Sequence, residues 1–235
     1  MRVSVIIPTR NEAQAIGRVL DDLPLDLVTE VLVVDSNSTD GTPEIAQRMG
    51  ARVVHEPRRG YGRACLTGLA NASAPDVIVF LDGDYSDRPD EMPLLLAPII
   101  DGRADITLGS RLGNQSIPGA LPWHAAFGNR LAAVLIRLLY GLRISDLGPF
   151  RAGRADVLRQ LELEETTYGW AVEMILKGTL GGRRIVEVPV TYYPRIGKSK
   201  ISGTLRGTIG AAWFILSLIV RYYLRHRRHG WPRPA

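Results

Sequence analysis

Uninterrupted apolar runs, separated by stretches with helical spacing, fill the first hundred positions and leave few folds open. Val3-Ser4-Val5-Ile6-Ile7, Val31-Leu32-Val33-Val34 and Val77-Ile78-Val79-Phe80-Leu81 read as buried strands, with a shorter one at Arg52-Val53-Val54. The intervening segments 12–23, 42–49 and 60–71 read as helices, the first with Asn11 as its cap. Continuously apolar strands alternating with helices indicate an α/β fold, a mostly parallel central sheet flanked by helices on both faces. Further on, 93–100 reads as an apolar helix, Ile106-Thr107-Leu108 as a short strand, 113–122 as a Gly/Pro loop, 129–140 as a helix with an apolar stripe, and 180–193 as a Gly-Gly turn leading into an alternating strand.

In such sheets ligands bind beyond the carboxyl ends of the strands. Asp35 and Asp82 each follow a strand, so they are expected on one edge. Asp82-Gly83-Asp84 places two carboxylates one residue apart, an arrangement suited to Mg²⁺ or Mn²⁺ shared with substrate phosphates. The same triplet also reads as an ordinary turn, since Asp and Gly favour turns. Cys65 is the one cysteine, which excludes an intramolecular disulfide and fits a small buried residue better than a nucleophile. The four histidines show no metal-ligand spacing, and no secretory signal opens the chain.

The formal charge of +5 is concentrated late: after Arg195 there are Lys and Arg residues but no Asp or Glu. Such an end attracts phosphates. Between Arg206 and Arg221 lies the charge-free, mostly apolar stretch 207–220, too short to cross a bilayer comfortably. Tyr222-Tyr223, Arg225, Arg227, Arg228 and Trp231 follow, a composition suited to a membrane interface. The competing reading is a helix packed on the domain or on a second copy, so self-association stays open. A nucleic-acid partner is not expected, because the basic end is joined to an apolar helix and carries no docking module.

Val5-Ile6-Ile7-Pro8-Thr9-Arg10-Asn11-Glu12 and Val33-Val34-Asp35-Ser36-Asn37-Ser38-Thr39-Asp40-Gly41-Thr42 resemble the opening motifs of family 2 glycosyltransferases of the GT-A fold, and Asp82-Gly83-Asp84 matches their metal motif. Gly109-Ser110-Arg111, Ser145-Asp146-Leu147-Gly148-Pro149-Phe150-Arg151 and Arg195-Ile196-Gly197-Lys198-Ser199-Lys200 resemble the dolichol- and polyprenyl-phosphate mannosyltransferase branch. The likeness spans about residues 3–205. It sets a GT-A glycosyltransferase domain at 1–205, with 206–235 as an apolar then basic helix at the membrane interface. The chain departs from the pattern at Asp35-Ser36, where relatives carry paired acids, and at Gly148-Pro149, where many carry Ser-Gly.

The resemblance implies a metal-dependent inverting transferase. Asp84 would ligate the metal directly, and Asp82 would bind metal or the donor ribose. Pro8, Arg10, Glu12 and Asp35 would bind the nucleotide sugar, while Asp40 shapes a turn with Gly41. Arg111, Arg195, Ser199 and Lys200 would grip phosphates of donor or acceptor, although each cation alone also reads as a solvated charge. UDP-glucose or GDP-mannose is the expected donor, and polyprenyl phosphate at the cytoplasmic face of the cell membrane the expected acceptor. A phosphate acceptor is already anionic and needs no base. A hydroxyl acceptor would need one, for which Asp146 and Glu173 are the candidates, each with a structural alternative. The other alternative is a sugar-nucleotide-binding subunit without turnover.

Overall fold

The computed structural model describes residues 1–112, 117, 120–197 and the helix 205–229. Strands β1 (Val3–Thr9), β2 (Glu30–Asp35), β3 (Arg52–His55), β4 (Val77–Phe80), β5 (Ile106–Ser110), β6 (Arg151–Arg154) and β7 (Ile185–Pro189) form one sheet in the order β3-β2-β1-β4-β6-β5-β7. All neighbours pair in parallel except β6, which runs antiparallel to both β4 and β5. Helices α1 (Ile16–Asp21), α2 (Thr42–Arg48), α3 (Tyr61–Asn71), α4 (Met92–Ile100), α5 (Trp123–Tyr140), α6 (Ala155–Gln160), α7 (Trp170–Leu180) and α8 (Leu205–His229) cover it.

Side chains alternate across a strand, and this alternation divides the core into two layers. Val3, Val5, Ile7, Val33, Val79 and Leu81 face α1, α2 and α4. Ile6, Leu32, Val34, Ile78 and Phe80 face α3, α5, α6, α7 and α8. Within the second layer Trp170 meets Phe80 edge-on, with ring centroids 4.6 Å apart. Both faces of the central strands are therefore dry, which is why their sequences are apolar without a break.

The expected first helix is shorter than its sequence suggests. Asn11 takes φ 54 and does not cap it; its side chain accepts from the Thr39 amide at 2.8 Å, tying the β1 and β2 loops together. Helix α5 begins six residues before the expected 129, at Trp123. Strand β6 and helices α6 and α7 are additions the sequence pattern did not disclose. Helix α8 starts at Leu205, beside the expected boundary, and Leu218 and Ile219 are buried in the main core, so it is not a detached tail. Among the described residues no helix is long and apolar enough to cross a membrane.

Candidate active site

The topology gathers the chemistry on one edge. β1, β2 and β4 are parallel, so Arg10, Ser36 and Asp82 emerge together. β6 reverses direction between β4 and β5, which leaves β5 and β7 pointing the same way as β4. The residues after β5 and β7, and those just before β6, therefore reach the same edge: Arg111, Arg195 and Asp146. A cleft of about 550 Å³ opens there, lined by Pro8, Arg10, Glu12, Asp82, Asp84, Arg111 and Arg195, together with Ser36, Arg59, Tyr61, Thr167 and Tyr168.

Close packing fixes the Asp pair. A Cβ on Gly83 would lie 2.8 Å from the Thr9 methyl, so only glycine lets the turn press onto the end of β1. One Asp84 oxygen accepts from the Ser86 amide at 3.0 Å and the Ser86 hydroxyl at 2.6 Å. The other faces the Arg195 guanidinium at 3.0 Å, and Arg195 also lies 3.7 Å from Glu12. Backbone bonds hold this arrangement: Tyr193 donates to the Ser86 carbonyl at 2.8 Å, and Ile196 to the Asp84 carbonyl at 2.9 Å. The segment after β7 is thus zipped onto the segment after β4.

Asp82 is deeper. Its Oδ1 is buried with no hydrogen-bond partner, as are both carboxylate oxygens of Asp87. Burial, with Asp84 alongside, raises the Asp82 pKa to about 7. Burial, with Asp82 alongside, holds Asp87 well above the usual carboxylate range. Buried carboxylate oxygens without donors suit a cation. Among the described residues no three His, Cys, Asp or Glu side chains form a metal cage by themselves. The donor set fits Mg²⁺ or Mn²⁺ held by one or two carboxylates and completed by substrate phosphates.

Arg111 and Asp146 form a buried, forked pair. The Arg111 Nε and Nη2 donate to the two Asp146 oxygens at 2.7 and 2.9 Å, and the Arg111 amide adds a bond at 2.9 Å. Asn129 of α5 and the Leu147 amide complete the Asp146 shell at 2.6 and 2.8 Å. Burial weakens the Arg111 charge, but Asp146 more than offsets it, so the guanidinium pKa rises and the carboxyl pKa falls. Glu173 is equally enclosed. It accepts from the Glu164 and Glu165 amides and from Tyr222, and it pairs with Lys177 at 3.0 Å.

The structure sets both candidate bases apart from the cleft. Neither Asp146 nor Glu173 lines the cleft. Both are fully buried and bonded on all sides, which is unfavourable for taking up a proton from a substrate. Asp35 lies beneath the cleft, accepting from Ser38 N at 3.0 Å and from the Ser38 hydroxyl, while its neighbour Ser36 forms the wall. Ser199 and Lys200 lie outside the described residues. Cys65 is buried in the core, and burial pushes its thiol up, away from nucleophilic use.

Sequence reasoning did not single out Arg59, Tyr61, Thr167 or Tyr168. The available signal was Gly60-Tyr61-Gly62. A Cβ at either glycine would collide with the backbone of Glu165 or Thr166, so this pair brings the 165–168 loop against the start of α3. Arg151 closes the 145–151 motif, and its role emerges only from the structure. Fully buried, it donates to the Ala171 carbonyl at 2.7 Å and to the carbonyls of Leu147, Gly148 and Pro149, holding the turn that presents Asp146.

Residues 4–162 match the model of the family described as Glycosyl transferase family 2. An uncharacterized glycosyltransferase of Mycobacterium bovis is 36% identical over 92% of this chain and 98% of its own length. An undecaprenyl-phosphate mannosyltransferase of Micrococcus luteus is 35% identical over 88% of this chain and 90% of its own. Among solved structures, glucosyl-3-phosphoglycerate synthase of Mycobacterium tuberculosis, in complex with Mn²⁺, UDP-glucose and phosphoglyceric acid, superposes with a TM-score of 0.76 at 26% identity, covering 94% of this chain and 79% of that one.

Proposed function

The chain belongs to glycosyl transferase family 2, and from that premise we propose that it transfers a hexose from UDP-glucose or GDP-mannose to a polyprenyl phosphate at the cytoplasmic face of the cell membrane. The single observation carrying this reading is the division of charge at the site. The cleft presents Arg111 and Arg195 beside Asp82 and Asp84, whereas the two carboxylates that could serve a hydroxyl acceptor are buried outside it. Such a site grips anions and offers no base at the positions the hydroxyl reading requires. The name of the Micrococcus luteus relative supports the acceptor, and the Mycobacterium tuberculosis structure supports a nucleotide-sugar donor and a divalent metal.

Asp84 and Asp82 would hold Mg²⁺ or Mn²⁺. When bound, that ion supplies neutralising charge to the departing nucleoside diphosphate. The protein's own groups do the rest. Pro8, Arg10 and Glu12 frame the donor end of the cleft, and Ser36 forms its wall. Arg111, held rigid by Asp146, and Arg195, on the zipped segment after β7, place positive charge where phosphates meet. A guanidinium suits this task because it stays charged at any working pH and carries several N–H donors. An oxygen of the acceptor phosphate attacks the anomeric carbon as its bond to the diphosphate breaks, inverting the configuration, with no proton to be removed. Helix α8 would bring the cleft to the lipid.

Purified protein, Mn²⁺ or Mg²⁺, polyprenyl phosphate and radiolabelled UDP-glucose or GDP-mannose test this directly. Label entering the organic phase with one donor is the expected result and identifies the nucleotide. Nucleotide binding without organic-phase label from either donor would sink the reading.

A further inference from the structure

Helix α5 carries a row of large apolar side chains on its outer surface. Trp123, Phe127, Leu131, Val134 and Leu138 are spaced by three and four residues, so they share one face, and Trp123 and Leu138 are 80% and 76% exposed. The opposite face is the one that packs: Ala132, Ala133 and Ile136 enter the core. Exposed Arg130 and Arg137 flank the row. Helix α8 packs on α5, with Tyr140 bonded to the Ile219 carbonyl at 2.6 Å. It exposes Trp213, Val220 and Leu224 with Arg221, Arg225, Arg227 and Arg228. From Ile106 to Ser145, and again after Glu187, the sequence contains no Asp or Glu.

We propose that the outer face of α5, with the basic end of α8 beside it, is a docking surface for an anionic phospholipid bilayer. Charge selects this occupant. A two-fold contact between copies sets the same patch against itself, so arginine would meet arginine with no acid to answer it. An anionic bilayer answers the arginines and takes up the Trp, Phe and Leu side chains at the headgroup boundary. The same two helices touch the cleft from inside. Asn129 of α5 bonds Asp146, the partner of Arg111, and Phe214 of α8 stacks edge-on with Tyr168, ring centroids 5.1 Å apart. A helix lying on the headgroups would therefore hold the Arg111 end of the cleft close to lipid phosphates. The role of the surface in catalysis rests on the polyprenyl-phosphate reading; its affinity for lipid does not.

Sedimentation with extruded vesicles tests the surface. The intact chain is expected to sediment with phosphatidylglycerol–phosphatidylethanolamine vesicles and much less with phosphatidylcholine alone. Phe127→Ser/Leu138→Ser should weaken that binding at least tenfold while leaving the circular-dichroism melt in place. Arg130→Gln/Arg137→Gln, which spares the apolar row, should weaken it in a salt-dependent way. Transfer to a short, water-soluble prenyl phosphate should persist in both variants. Unchanged vesicle binding in both overturns the proposal and leaves the acceptor reading standing. A dimer in sedimentation velocity that Phe127→Ser/Leu138→Ser dissociates, without vesicle binding by the intact chain, overturns it in favour of a second copy. Variant-sensitive vesicle binding without transfer to any prenyl phosphate keeps the surface and defeats the acceptor.

Discussion

Asp84 and Asp146 illustrate how two carboxylates on one sheet edge divide into different tasks. Asp84 stands at the cleft with its oxygens shared between Ser86 and Arg195. Asp84→Ala should lower sugar transfer roughly 10²–10³-fold, the scale of losing one charge-stabilising group, while the fold survives; steady-state rates beside a thermal melt would check both. Asp146 lies outside the cleft lining and pairs with Arg111. Asp146→Ala removes the carboxylate that pairs with that guanidinium, and should cost about 3–5 kcal/mol in urea denaturation. Glu56 offers a pH test. Hydrogen bonds from Arg58, and from Thr67, hold its pKa down at about 2 against an ordinary 4.5. A carboxylate depressed on folding stabilises fully above its unfolded pKa and loses that contribution as pH falls through the folded one. Glu56→Gln should therefore cost about 1–2 kcal/mol at pH 6, and the difference from the parent chain should shrink between pH 4.5 and 2. A difference that stays constant across that range would contradict the assignment.

The elements that were legible in the sequence are those whose environment is uniform. β1, β2 and β4 are buried on both faces and read as apolar runs. β6 is buried too, but its sequence is Arg-Ala-Gly-Arg, because its task is to place Arg151 beneath the 147–149 turn. Helix α7 hides Glu173 and Lys177 among apolar neighbours, and that charged pair breaks the amphipathic pattern by which a helix is recognised. The Asp82–Asp84 site was visible as local spacing. The pairing of Arg111 with Asp146, and of Arg195 with Asp84, was not, since each joins residues far apart in sequence. The docking of α8 has its own test. Tyr222 donates to the buried Glu173 at 2.7 Å. Tyr222→Phe should lose about 1 kcal/mol, lowering the melting temperature by roughly 2–4 °C; no shift in calorimetry would mean that the Tyr222–Glu173 bond adds nothing to the docking of α8.

For the molecule as a whole, the fold and the proposed metal act separately. The two core layers account for the compact sheet, and the Asp pair lies at its rim. Chelation with EDTA should abolish transfer while moving the melting temperature by less than about 2 °C, under 1 kcal/mol for a chain of this size; a large drop would make the metal a structural part of the fold. The position of β6 bears on how the molecule comes into being. This strand is made after β5, yet it separates β5 from β4. A growing chain that has only reached residue 145 has built β1 to β5 but cannot join β5 to the rest. β4 then shows an open flank of backbone amides and carbonyls, the kind of edge that recruits strands from other molecules. Emergence of residues 151–154 from the ribosome is thus the event that joins β5 to the rest of the sheet. A chain stalled before it would be a substrate for chaperones rather than a smaller working enzyme.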